Sequence, residues 1–287
     1  MRSSNVFENK NILASTLLRK TASIALTTAA SFEKFTINSH DYSKKPPVIV
    51  NSLPKSGTHL LLQVTRALPE IRYFGRFIAE KPSLTEITRS TKSLTKKISK
   101  ILPSETLGAH VTHSSQLKEA MLKINALHLF IYRDPRAVIL SEIHYLTYMN
   151  KWHRMHNEFK RLSNFSSRLD LALFGHDERY PDANYRMLGY APWINDPEVI
   201  AVRYEDLAGE NQYAELERII KLWSKRSQTN IELNTIVSKA SLAINPSRSH
   251  TFRAGGAETW RTTIHADDLR RLTKHLMPSL QAFEYIE

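Results

Sequence analysis

A run of apolar and β-branched residues closes on a Pro-Lys-Ser-Gly-Thr turn and opens at once into an apolar helical pattern, in "PPVIVNSLPKSGTHLLLQVTRAL" (Pro46 to Leu68). A buried strand at 47–51 followed without a spacer by a helix at about 57–68 is the start of a βα unit, and it confines the chain to folds that stack helices on a sheet. The turn also specifies chemistry. Gly57 permits a positive φ and close backbone approach. Amides of residues 56–59 at the helix N-terminus favour an anion. Lys55 adds a movable charge and Thr58 a hydroxyl. The turn is not G-x-x-x-x-G-K-[ST], because Lys55 precedes the glycine. A loop this short wraps one phosphate rather than a magnesium triphosphate. A strand-turn-helix that holds no ligand is the plain structural alternative.

The rest of the chain repeats the theme. "TLGAHVTH" (106–113) reads as a strand end before a helix, "SSQLKEAMLKI". Leu127 to Tyr132 is a buried-strand pattern, and Asp134-Pro135 starts a helix with proline at its first position. A strand at 198–204 precedes a helical pattern from Gln212 to Lys225, and a last helix covers about 266–276. Strands alternating with helices predict an α/β protein: a single P-loop-like three-layer domain with a mostly parallel central sheet flanked by helices. Residues 47–287 are assigned to that domain, and 1–46 to an N-terminal helical extension packed on it. Residues 1–36 are basic, rich in Ser, Thr and Ala, and resemble a transit or signal segment, which stands as the alternative. Residues 150–195, rich in aromatics, His and Asn, read as irregular loops over a site.

The formal net charge is +12. It fits an anionic ligand, nucleotide or nucleic acid, or simply a basic surface. The segment 81–100 carries much of it and reads as a solvated face or the electrostatic rim of a site. No apolar run reaches membrane-spanning length. Cysteine is absent, which excludes disulfides and thiolate catalysis and fits a reducing compartment. "HRMH" (153–156) has the spacing of a ligand pair, but reads as surface histidines, and no metal site is expected.

Two further segments carry anion chemistry. In "YRDPRAVILS", Arg133 leaves a strand end and Ser141 follows two helical turns on; an arginine there can fork to a phosphate. In "FRAGGAETWR", Arg253 beside two glycines can bring a guanidinium and amides to another phosphate edge. Each alone reads equally as surface structure.

Together and in this order, the three segments resemble the cytosolic-type and bacterial sulfotransferases that use 3′-phosphoadenosine 5′-phosphosulfate (PAPS). The resemblance spans residues 47–261. It implies that Lys55, Ser56, Gly57, Thr58 and His59 hold the 5′-phosphosulfate and that Arg133 and Ser141 hold the 3′-phosphate. It further implies that Arg253, Ala254 and Gly255, with Trp260, close on the nucleotide, and that Tyr204 in "RYEDL" approaches it. Lys55 would neutralise the bridging oxygen, and no metal would be needed. His110, in "GAHVTH", matches the family's general base, with His113 as rival because Thr112 stands where proline is usual. Leu60 replaces the family's adenine-stacking aromatic. Glu205 and Asp206 suit capping and hydrogen bonding in the scaffold.

The expected activity is sulfuryl transfer from PAPS to a hydroxyl on a carbohydrate, lipid or small alcohol, with an anionic or sugar-bearing acceptor favoured by 81–100, in a cytoplasmic enzyme. Two alternatives are a P-loop nucleotide kinase or NTPase, disfavoured by the Lys-before-Gly order and the lack of a Walker-B strand, and a basic nucleic-acid-binding protein.

Overall fold

The computed structural model describes residues 16–245, 261 and 264–286. Five strands, β1 (Val48–Ser52), β2 (Arg72–Ala79), β3 (Glu105–His110), β4 (Leu127–Tyr132) and β5 (Val199–Arg203), form one sheet in the order β2-β3-β1-β4-β5, with every pair parallel. The expected α/β class and parallel sheet are therefore present. After β1 the chain leaves toward β2, and after β4 toward β5. The crevice between the carboxyl ends of β1 and β4 is thus the switch point where open α/β sheets bind ligands.

The helices, in chain order, are α1 (Thr16–Ser31), α2 (Ser39–Lys44), α3 (Thr58–Arg66), α4 (Thr91–Ile98), α5 (Ser115–Lys123), α6 (Pro135–His144), α7 (His156–Arg161), α8 (Phe165–Phe174), α9 (Ala183–Leu188), α10 (Tyr204–Ala208), α11 (Gln212–Ser227), α12 (Leu233–Ala243), α13 (Ala266–His275) and α14 (Met277–Ala282). They cover both faces because the central strands are apolar on both. Val48 and Val50 pack with Leu61 and Val64 of α3 and Ile219 of α11, while Ile49 between them packs with Leu94 of α4 and Leu117 of α5. In β4, Leu129 and Ile131 join the first cluster, whereas Phe130 and Tyr132 point to a third built from α6, α8, α9, α13 and α14. This two-sided burial is what a central parallel strand requires.

The segment 150–195 departs from its reading as loops. It holds α7, α8 and α9, and Phe159, Leu169, Leu173, Tyr180 and Trp193 are almost wholly buried in the third cluster. "HRMH" is not a surface pair either. His153 pairs through Nε2 with Glu86 at 3.2 Å, and the buried His156 donates from Nδ1 to the Leu146 carbonyl at 2.7 Å.

On the β2 side, Ala30 of α1 packs with Phe74 and Leu102, and the Tyr42 hydroxyl donates to the Ile101 carbonyl at 2.7 Å. β2 itself is an edge strand with no clear sequence pattern. Gly75 has φ +69, the register with β3 shifts between Tyr73 and Phe77, and Arg76 donates from Nε to the fully buried Glu105 at 2.5 Å. Among the described residues, no helix is long and apolar enough to cross a membrane.

Candidate active site

The loop after β1 is shaped by two left-handed residues, Lys55 (φ +70) and Gly57 (φ +101). At Gly57 a Cβ would also come within 2.6 Å of the Tyr204 ring, so both conformation and space demand glycine. The Ser56 amide is spent inside the turn, donating to Leu53 at 3.2 Å. Of the expected amide set 56–59, that one is thus not available to a ligand. Gly57 caps α3, Thr58 begins it, and the half-buried His59 follows. Leu60 lies in the core under α3, so it offers no face to an adenine ring.

Arg133 follows β4, and its guanidinium lies over the Tyr204 ring at 4.2 Å. Tyr204 therefore touches both the loop and Arg133. Ser141 sits half-buried on α6, which begins at Pro135 with the Asp134 side chain accepting from the Arg136 amide at 2.8 Å. Two buried polar atoms in this crevice have no partner among the described residues: Ser56 Oγ and Arg133 Nε. Buried donors are rarely left so, and both suit an anion's oxygens. Arg253, Ala254, Gly255 and Trp260 lie outside the described residues.

Lys55 turns its ammonium onto the Tyr145 ring, 3.7 Å from the centroid. Tyr145 belongs to a π-helical turn, Tyr145–Met149, that continues α6. Burial draws the lysine down to about 8, with Glu142 opposing the fall and Arg133 adding to it. It remains mostly charged near neutral pH, yet it is poised to feel a new anion.

His110 ends β3. Its Nδ1 lies 3.0 Å from the Ser52 carbonyl and 3.1 Å from Ser52 Oγ. A carbonyl only accepts, so Nδ1 carries the hydrogen and Nε2 the lone pair. Burial pulls the ring down to about 4, against the Ser52 hydrogen bond, and the charge on Lys55 adds to the fall. The imidazole is therefore neutral at physiological pH. Phe77 meets it edge-on at 4.7 Å between centroids. That placement needs Gly108, where a Cβ would lie 2.5 Å from the Phe77 ring.

Two side chains fix the register that the missing proline left in question. Asn51 accepts from the Val111 amide and donates to its carbonyl, both at 3.0 Å, extending the β1–β3 pairing beyond the last strand residue. Glu80 accepts from both the Thr112 amide and its hydroxyl at 2.8 Å; a proline at 112 would have neither donor. His113 is held elsewhere. Its Nε2 is 3.3 Å from Asp196, whose other oxygen takes Lys118 at 2.8 Å, and its ring packs on Trp193 at 4.4 Å.

The acidic pair at 205–206 is structural. Glu205 accepts from the Asp134 amide at 3.2 Å and the Tyr285 hydroxyl at 2.5 Å, and Asp206 accepts from Asn211 at 2.9 Å. Neither caps α10, contrary to the expectation of capping. The basic 81–100 stretch follows its solvated-face reading and not the rim. Arg89 is tied to the Glu80 and Ala79 carbonyls at the ligand end of the sheet. From there α4 runs back toward the opposite end, where Arg76 bonds the Lys100 carbonyl. Its exposed Lys92, Lys96 and Lys97 thus climb away from the crevice instead of rimming it.

Ser52, Tyr145 and Phe77 escaped the sequence reading. Ser52 directly precedes the loop in a strand, and its position at the carboxyl end of β1 was the one available signal.

An open parallel sheet that carries a short lysine loop at its switch point, with a neutral histidine at the end of the next strand, has the architecture of an α/β fold of the phosphate-loop type. The chain belongs to the sulfotransferase domain family, whose model matches residues 45–284. Among solved structures it resembles the mouse sulfotransferase SULT7A1 complexed with PAP, at 17% identity over 83% of this chain and 85% of that one, with a TM-score of 0.55. It also resembles retinol dehydratase in complex with androsterone and inactive cofactor PAP, at 12% identity over 89% of this chain and 85% of that one, with a TM-score of 0.51. At such identities the likeness concerns the fold. A sequence search of curated proteins finds no match.

Proposed function

We propose that this sulfotransferase moves the sulfuryl group of PAPS to an acceptor hydroxyl in one in-line step, with His110 as general base and Lys55 on the departing phosphate oxygen. The observation that carries the proposal is the His110 tautomer beside the loop: Nδ1 is committed to Ser52, which leaves Nε2 unprotonated to accept the hydroxyl proton. Lys55 comes from the adjoining loop and supplies positive charge where negative charge develops. Ser56 and Thr58, with the Gly57 backbone and His59, would hold the 5′ end. The orphaned Arg133 Nε, with Ser141, suits the 3′-phosphate, and Tyr204 keeps Arg133 and the loop in contact. Arg253, Ala254 and Gly255 remain assigned to the nucleotide through the family resemblance.

The acceptor is a hydroxyl compound. Phe77, 41% exposed and edge-on to His110, offers an apolar face beside the base. The α4 lysines that favoured an anionic acceptor lead away from it. On this reading the chain divides into an N-terminal extension, residues 1–46, and the sulfotransferase domain, residues 47–287. The test is transfer of sulfur-35 from PAPS to a panel containing 2-naphthol, a long-chain alcohol, a neutral glycoside and an anionic sugar, beside calorimetry with adenosine 3′,5′-bisphosphate. Transfer with submillimolar bisphosphate affinity is expected. Transfer to none of the panel, with no bisphosphate binding, would overturn the reading.

A further inference from the structure

A buried chain of hydroxyls joins the two ends of this site. Ser52 Oγ lies 2.6 Å from Thr58 Oγ1 and 3.1 Å from His110 Nδ1. Ser52 is fully buried and Thr58 is 6% exposed, so bulk water does not compete for these bonds. At the histidine end the direction follows from the one group that has no choice. The Ser52 carbonyl only accepts, so Nδ1–H donates to it and to Ser52 Oγ. Ser52 Oγ keeps its own hydrogen to donate, and Thr58 Oγ1 is the hydroxyl within reach of it. With that donation the Thr58 hydrogen is left for a further acceptor on the loop side.

We propose that Ser52 is a positioning residue that couples the base to the phosphate loop. During transfer, a bond forms between the acceptor oxygen and sulfur, and the hydroxyl proton passes to Nε2. The bond from sulfur to the bridging oxygen breaks, and its electron pair stays on the 5′-phosphate. No proton crosses the hydroxyl chain. Instead the new charge on the ring strengthens donation from Nδ1 to Ser52, from Ser52 to Thr58, and from Thr58 to the phosphate as it gains charge. Proton uptake at one end thereby stabilises the leaving group at the other.

The inference rests on His110 being the base, and its test separates the two ideas. Ser52→Ala, His110→Ala and the double variant are compared using PAPS and the panel member turned over fastest, with adenosine 3′,5′-bisphosphate as the binding probe. Ser52→Ala should lower kcat about ten- to a hundredfold, the scale of a hydrogen bond to a charged group. Bisphosphate affinity should change less than about threefold, since the loop backbone is untouched. The acid limb of the kcat profile should move to lower pH, because an acceptor that favours the imidazolium is gone. Lys55 on the loop and Glu80 at the end of β2 are the charged groups on neighbouring elements, and both stay in place. Within the His110→Ala background, adding Ser52→Ala should cost less than about threefold more. If Ser52→Ala loses the fold by its thermal midpoint, Ser52→Cys keeps the volume with a weak acceptor and should give the same pattern. Equal losses in both backgrounds, or a bisphosphate loss that matches the kcat loss, would reduce Ser52 to loop packing. A collapse in His110→Ala with full activity in Ser52→Ala sinks the coupling alone. Full activity in His110→Ala sinks the base and the coupling together.

Discussion

His110 and His113 stand three residues apart at the end of β3, in opposite surroundings. Around His113 the chain supplies a carboxylate, a lysine and an indole, and the ring nitrogen facing Asp196 is occupied. Around His110 it supplies a carbonyl, a hydroxyl and an apolar ring, with the charge of Lys55 close enough to oppose protonation. The first arrangement suits a residue that holds parts together. The second holds an imidazole neutral with Nδ1 committed to Ser52, as the proposed base requires. What separates the proposed base from its neighbour is what the two ring nitrogens are left to do, since residue type and strand position are nearly the same.

The sharpest way to break the contrast is to remove each ring. His110→Ala should lower kcat by about 10²–10⁴ with bisphosphate affinity nearly intact, measured by single turnover under saturating PAPS. Next in size, Lys55→Ala should lower kcat by about 10²–10³, the cost of one donor aimed at developing charge, while binding of adenosine 3′,5′-bisphosphate weakens much less. If binding and turnover fall together, Lys55 merely holds the nucleotide. Arg133→Ala extends the comparison to the far end of the crevice. It should weaken the bisphosphate by about 1.5–3 kcal/mol and adenosine 5′-phosphate far less; equal losses would mean the arginine does not read the 3′-phosphate.

Smaller effects should appear in pH dependence. kcat/KM for PAPS reports the free enzyme, so it should decline above about 8 as Lys55 loses its proton; Lys55→Arg should move that limb upward. For stability, the His110 pKa is about 4 in the folded chain, below the usual value of 6.5. The unfolded state then binds more protons between those values, and the contribution is lost as pH falls through that window. His110→Gln should flatten the slope there in urea titrations. Buried His128, drawn down to about 3, keeps part of it. Smallest of all, His113→Ala should leave kcat within about twofold and cost about 1 kcal/mol of stability; a collapse in turnover would reverse the roles of the two rings.

The features legible in the sequence are those written locally. The strand, loop and helix around Lys55, and the proline-started helix after Arg133, are contiguous signals, and both lie where the sequence reading put them. β2 was not legible because Arg72, Gly75 and Arg76 break its alternation. Those arginines are matched by Glu33 and Glu105, partners visible only once the chain is folded. The helices at 156–188 run six to ten residues, too short for a 3.6-residue period to stand out from a polar background. Ser52 and Tyr145 stayed hidden for a related reason. Their meaning lies in contacts to residues 58 and 90 positions away in sequence, His110 and Lys55 respectively.

The two halves of the crevice are also unequal in how firmly they are mounted. Lys55, Ser52 and Arg133 hang from β1 and β4, each held by a neighbouring strand on both sides. Phe77 hangs from β2, which is bulged and paired on one side alone. A strand secured by a single ladder yields more easily than one secured by two. The proposed donor end is thus set in a stiff frame and the proposed acceptor wall on a compliant margin. If the proposed roles hold, new acceptors would be accommodated by reshaping that margin while the parts assigned to the sulfuryl donor keep their dimensions.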